Sequence, residues 1–94
     1  MMNKSMRIED TLDQRGSVYG EFKYQSECVS KIVSAMIRCG NANDKSISDE
    51  VIAEWHYLAI KLARIAANPE YMDSYHDLAG YATLMERERD NDRG

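Results

Sequence analysis

The dipeptide Asn68-Pro69 constrains this chain more than any other feature, because it divides two stretches that both carry helical periodicity. Proline lacks a backbone N–H and disfavours helical backbone in the residue before it, so a helix ending near Ala67 cannot run on into the next. A link as short as ANPE returns the chain alongside itself, and the two stretches are expected to form an antiparallel helical hairpin. Its turn is centred between Asn68 and Pro69, so residues equally far from that point lie side by side. Arg64 then comes level with Asp73, Lys61 with Asp77, Tyr57 with Gly80 and Glu50 with Arg87.

The first arm of the hairpin opens at Ser48, a good N-cap, with Asp49 and Glu50 at the positive end of the helix dipole. Ile52, Trp55, Ala59, Leu62 and Ala66 mark its apolar side; the second arm starts near Glu70 and carries Tyr71, Tyr75, Leu78, Ala82 and Met85. Upstream, Phe22, Val29, Ile32, Val33, Met36 and Ile37 recur at three-four spacing and predict a helix from Glu21 to Cys39. Glu27 and Lys31 lie on its polar side in the favourable i,i+4 order. Gly40 is expected to stop it, and GNANDKSIS reads as a polar loop. RIEDTLDQ reads as a short helix that ends at QRGSVYGEF, with Gly16 as a left-handed cap and Gly20 as a second break. Residues 1–5 and 88–94 are read as frayed ends.

No segment alternates apolar and polar residues for long enough to make a strand. The chain of 94 residues reads as a single all-α domain: an antiparallel bundle of three main helices plus a short N-terminal helix. A core drawn from three helices is thin, and with one Trp, six Tyr and six Met the chain is expected to complete it as a homo-oligomer. Sixteen acidic against twelve basic residues give a net charge of -4, which provides no basic footprint for nucleic acid. No apolar run approaches the roughly 20 residues of a membrane span, and no signal segment opens the chain, so a cytoplasmic protein with reduced thiols is expected. Cys28 and Cys39 are eleven residues apart on one helix. That corresponds to about 16 Å of rise, too far for a disulfide, and both read as small core residues.

The hairpin carries most of the candidate chemistry. Glu50, Glu54, Tyr57, Lys61 and Arg64 share one arc of the first arm, and Asp73, Asp77, Gly80 and Leu84 share one of the second. Four carboxylates on neighbouring helices could hold Mg²⁺, with Lys61 and Arg64 on phosphates. Yet Glu54 lies ten residues farther from the turn than Asp73, about 15 Å along the axis, and one metal cannot span that. The first reading is a hairpin closed by ion pairs or a solvated face; the second is a ligand or partner surface formed by Arg15, Tyr19, Tyr57, Lys61, Arg64, Asp73 and Asp77. Arg15 and the paired glycines of QRGSVYGEF could nest an anion, though a simple helix-helix turn with Tyr19 as its anchor is the stronger reading there. Gly80 costs about 1 kcal/mol in a helix interior, so a close approach is expected there, of Tyr57 or of another backbone. His56, His76, Ser74 and Thr83 form no nucleophile-base pair, and the two cysteines lack the second pair of a zinc site. No catalytic residue and no cofactor are expected.

Three elements in order, RGSVYGEF, IKLARI and DSYHDLAGYA, spread over Leu12 to Met85, resemble a family of small phage and prophage proteins of uncharacterised function. That resemblance implies a phage or prophage origin and action in the cytoplasm of an infected bacterium. More distantly, a Lys-x-x-Arg helix followed by an Asp-x-x-x-Asp helix is similar to MazG-like, all-α nucleoside triphosphate pyrophosphohydrolases. That superfamily holds magnesium with Glu-x-x-Glu and Glu-x-x-Asp, whereas Glu50 and Glu54, like Asp73 and Asp77, have three residues between them. The resulting expectation is a non-enzymatic accessory protein that binds a host protein or a small nucleotide signal and modulates a host process such as defence. The alternative is a Mg²⁺-dependent pyrophosphohydrolase assembled across a dimer, with Glu50, Glu54, Asp73 and Asp77 on the metal.

Overall fold

Four helices follow one another in a computed structural model that describes residues 7–93: α1 (Ile8–Tyr19), α2 (Phe22–Ala42), α3 (Asp49–Ala67) and α4 (Met72–Arg93). No strand occurs among the described residues, and the all-α architecture of three long helices and a shorter first one stands. The expected lead over residues 1–5 lies outside the described part. No described helix is long and apolar enough to cross a membrane.

The hub is α3, against which α2, α4 and the end of α1 all pack. It starts where the Ser48 hydroxyl accepts a hydrogen bond from the Val51 N–H at 3.2 Å, and it stops at Asn68, before the proline. The Tyr75 hydroxyl closes the following turn by donating to the Pro69 carbonyl at 2.6 Å. The layer is elongated, 53 × 28 × 24 Å, and its core is small: among the described residues, Val33, Ala59 and Ala63 are the buried apolar ones.

Two glycines behave differently from their sequence reading. Gly16 does not cap α1, which passes through it, and the break falls at Gly20 with φ +84° and ψ 177°, a region essentially reserved for glycine. A Cβ there would also come within 2.9 Å of the Ala67 Cβ, so Gly20 lets α1 sit directly on the end of α3. The Gln25 amide donates to the Tyr19 carbonyl at 2.9 Å and fastens the same corner. Gly40 does not stop α2, which continues to Ala42. Its bare face receives the Ile47 side chain from the following loop, which is what the glycine is for. The turn then closes through the Asn43 amide, which donates to the Cys39 carbonyl at 2.8 Å, and through Asp44 in a left-handed conformation.

The inward side of α4 also differs from the expected one. Tyr71 at its lead-in, then Ser74, Leu78, Tyr81 and Met85, are the residues most withdrawn from solvent, whereas Tyr75 and Ala82 are exposed. Buried Ser74 is small and polar, so it leaves no trace in an apolar pattern. Cys28 is half-buried and Cys39 exposed, both free thiols, so only the first fits the reading of a packed residue.

Candidate functional site

Along the hairpin, the register predicted from Asn68-Pro69 brings Lys61 onto Asp77: the ammonium donates to Oδ2 at 3.1 Å. Lys61 is buried against the helix pair while Asp77 is half-exposed, so the carboxylate relieves a cation that has lost much of its water. The same ammonium lies 5.7 Å from the centre of the Tyr81 ring, and Tyr81 stacks on Tyr57 at 5.2 Å with 24° between the planes. Tyr57 therefore meets Tyr81 and not Gly80, beside which an added Cβ would have nothing within 4 Å. Farther from the turn, Arg89 grips Glu54 by donating from both terminal guanidinium nitrogens, at 2.8 and 3.3 Å. That hydrogen bond holds the Glu54 carboxyl below its ordinary range against an opposing push from burial. Glu54 is thus engaged two residues farther along α4 than the residue expected to pair with Glu50.

These contacts decide what the carboxylates are occupied with. Glu54 and Asp77 each accept from a cation, and the α3 members of the two pairs, Glu54 and Lys61, are seven residues apart, about 10 Å along the axis. Among the described residues, no three His, Cys, Asp or Glu side chains converge as a metal cage would require.

The remaining candidates gather elsewhere, where the end of α1 meets α3 and the start of α4. Arg64 forms no ion pair with Asp73 here; its guanidinium lies over the Tyr19 ring, 4.2 Å from the centre. Tyr71 meets the same ring edge-on at 6.0 Å. The Asp73 carboxylate beside Tyr71, with a smaller contribution from Tyr19, pushes its phenol above the ordinary range and keeps it protonated. Around this cluster opens a cavity of about 460 Å³ lined by Thr11, Gln14, Arg15, Tyr19, Arg64 and Tyr71. An adjoining hollow shares Arg15, Tyr19 and Arg64 and has Asp13 and Glu21 among its lining residues. The Nε of Arg64 is buried with no hydrogen-bond partner, a condition that costs about 1–3 kcal/mol for a buried donor.

Of the seven residues singled out from sequence, the fold thus splits off Arg15, Tyr19 and Arg64, which share a cavity, from Tyr57, Lys61 and Asp77, which lock the hairpin. Asp73 stands beside Tyr71 at the border of the first group. Thr11, Gln14 and Tyr71 of the cavity, and Tyr81 of the hairpin, escaped the sequence reading. Tyr81 was within reach of it, being four residues beyond Asp77 and on the same helix face. The cavity was not, since it depends on how α1 crosses α3.

The chain belongs to a family defined by a domain of unknown function, DUF6378, which matches residues 6–89. No curated protein and no solved structure matches it.

Proposed function

We propose that this DUF6378 protein acts by binding, without catalysis, and that its ligand is a small phosphate-bearing molecule of the nucleotide class held where α1, α3 and α4 meet. The observation that carries this reading is Arg64, stacked on Tyr19 with a buried and unsatisfied Nε at a cavity that Arg15 also lines. Stacking engages the face of a guanidinium and leaves its edge donors for two oxygens of a phosphate, and a second arginine at the rim supplies further positive charge. The cavity volume lies within the range of small-molecule sites, about 300–1,000 Å³. The order of RGSVYGEF, IKLARI and DSYHDLAGYA supports placing the protein among phage and prophage accessory proteins that modulate a host process from the bacterial cytoplasm. We take its working form to be a homo-oligomer.

Thermal unfolding against a panel of nucleoside mono-, di- and triphosphates and cyclic nucleotides tests this. A ligand at a hundredfold its dissociation constant adds about 2.7 kcal/mol, which raises the melting temperature of a domain this size by more than about 10 °C. The expected result is a shift with one class of nucleotide that Arg15→Ala and Arg64→Lys both abolish. No shift with any of them overturns the ligand assignment and favours a host protein as the partner.

The pyrophosphohydrolase alternative requires Glu54 and Asp77 to leave Arg89 and Lys61 before they could meet Mg²⁺ with Glu50 and Asp73. Pyrophosphate release from a nucleoside triphosphate with Mg²⁺ or Mn²⁺, lost in Glu54→Gln, would establish it over the binding reading.

A further inference from the structure

The strongly amphipathic α2 turns an apolar stripe toward α3, yet Val33 is the one residue of that helix fully withdrawn from water. Between the two helices runs a groove of about 620 Å³, walled by Val29, Val33 and Ile37 from α2 and by Ile52 and Ile60 from α3. The α2 wall is a row at i,i+4 spacing, and on α3 Ile52, His56 and Ile60 make a matching row with a histidine at its middle; such rows are the ridges that another helix packs against. Phe22 stands at the groove's edge, 83% exposed. Ser30 and Ser34, small and exposed, line it on the α2 side and leave room for a close backbone.

The overall surface supplies the second argument. The chain exposes 7097 Å² and has a radius of gyration of 16.4 Å. A folded chain of 10.8 kDa exposes about 5,500 Å², and 94 residues pack to a radius of about 12 Å. The excess of about 1,500 Å² falls within the roughly 1,000–2,500 Å² that each subunit contributes to an obligate homodimer.

We propose that a second copy of this chain covers the α2–α3 groove across a twofold axis, groove against groove, so that the two copies of α2 and α3 build one four-helix core. A surface can face itself only if it does not repel itself. Arg64 is the one Lys, Arg, Asp or Glu among the residues lining the groove, and it lies at one end. An antiparallel twofold carries its mate to the opposite end. His56, midway along the α3 wall, bonds through Nδ1 to the Ile52 carbonyl at 2.9 Å, and apart from these two the lining has no titratable side chain.

The proposal rests on the homo-oligomer part of the reading above and not on the ligand, although Arg64 lines both the groove and the ligand cavity. Multi-angle light scattering and sedimentation equilibrium at micromolar concentration test it, using Phe22→Asp, Ser30→Arg and Leu84→Arg, all at exposed positions, with circular dichroism to confirm the helices. The wild-type chain is expected to be a dimer. Phe22→Asp and Ser30→Arg should each weaken dimerisation by about thirtyfold or more, as loss of an interface hot spot does, and Leu84→Arg on α4 should leave it unchanged. A wild-type monomer overturns the proposal. So does a dimer that Leu84→Arg breaks and the groove variants do not. A nucleotide that binds a monomer leaves the ligand site standing and removes this surface; a groove-dependent dimer that binds no nucleotide does the reverse.

Discussion

The two flanks of α3 are finished in opposite ways. Toward α4 the contacts are directional: an ion pair from Lys61 to Asp77, a two-pronged grip of Arg89 on Glu54, and two stacked tyrosine rings. Toward α2 they are apolar, and much of the apolar surface is still wet. Directional contacts need one register and, once made, ask for nothing more, whereas an apolar face continues to gain from every further square ångström covered. The α4 flank is therefore a completed joint, and the α2 flank is where additional stability can still be gained.

Four experiments test that contrast. The largest effect is expected from Ile60→Ala in the groove, about 2–3 kcal/mol by urea unfolding, with a loss that grows with protein concentration because part of the burial lies in the second copy. A loss that is the same at every concentration would place all of that burial within one chain. Asp77→Ala should cost about 1–2 kcal/mol at any concentration, by leaving the Lys61 ammonium withdrawn from water without its partner. Adding Lys61→Met should recover most of it; if the double variant is as weak as the single, the pair is not what closes this flank.

Gly80→Ala is expected to stabilise by up to about 1 kcal/mol, since an added Cβ meets nothing within 4 Å and the backbone φ there is not positive. A destabilised variant would reveal a partner against that face of α4. The smallest effect is acid-sensitive. The Glu54 carboxyl titrates lower in the folded chain than its ordinary 4.5, so its contribution is complete above that pH and is lost as the pH falls through the folded value. Because the pair is exposed to solvent and salt, it should amount to less than about 1 kcal/mol. In Glu54→Gln the melting temperature should fall less steeply below pH 4.5 than in the wild type.

Much of the hairpin was legible before any coordinates, because its determinants are local. Ser48 caps, Asn68-Pro69 breaks, and counting outward from the break placed Lys61 on Asp77. The glycines were harder to read, since the same residue serves as a left-handed cap, as at Gly20, or as a bare patch on a continuous helix, as at Gly40, and only the neighbour decides. Ser74 hid the inward side of α4, because a buried hydroxyl looks like a surface one in sequence. The cavity was out of reach for a different reason. Arg15 and Arg64 are separated by about half of the chain, and their meeting depends on the angle that Gly20 gives to α1.

With α3 packed chiefly on its two neighbours in sequence, α2 and α4, most of the tertiary structure closes short loops. Loop closure of that kind costs little entropy, and chains built this way fold within microseconds to milliseconds. The order of assembly follows from the same arrangement. Of the two loops that join directly packed neighbours, the one between α3 and α4 is the shorter, so that hairpin is expected to form first, with α2 settling on it next and α1 arriving last with Tyr19 and Arg15. The cavity is therefore the final part of the molecule to exist and, on unfolding, the first to disappear.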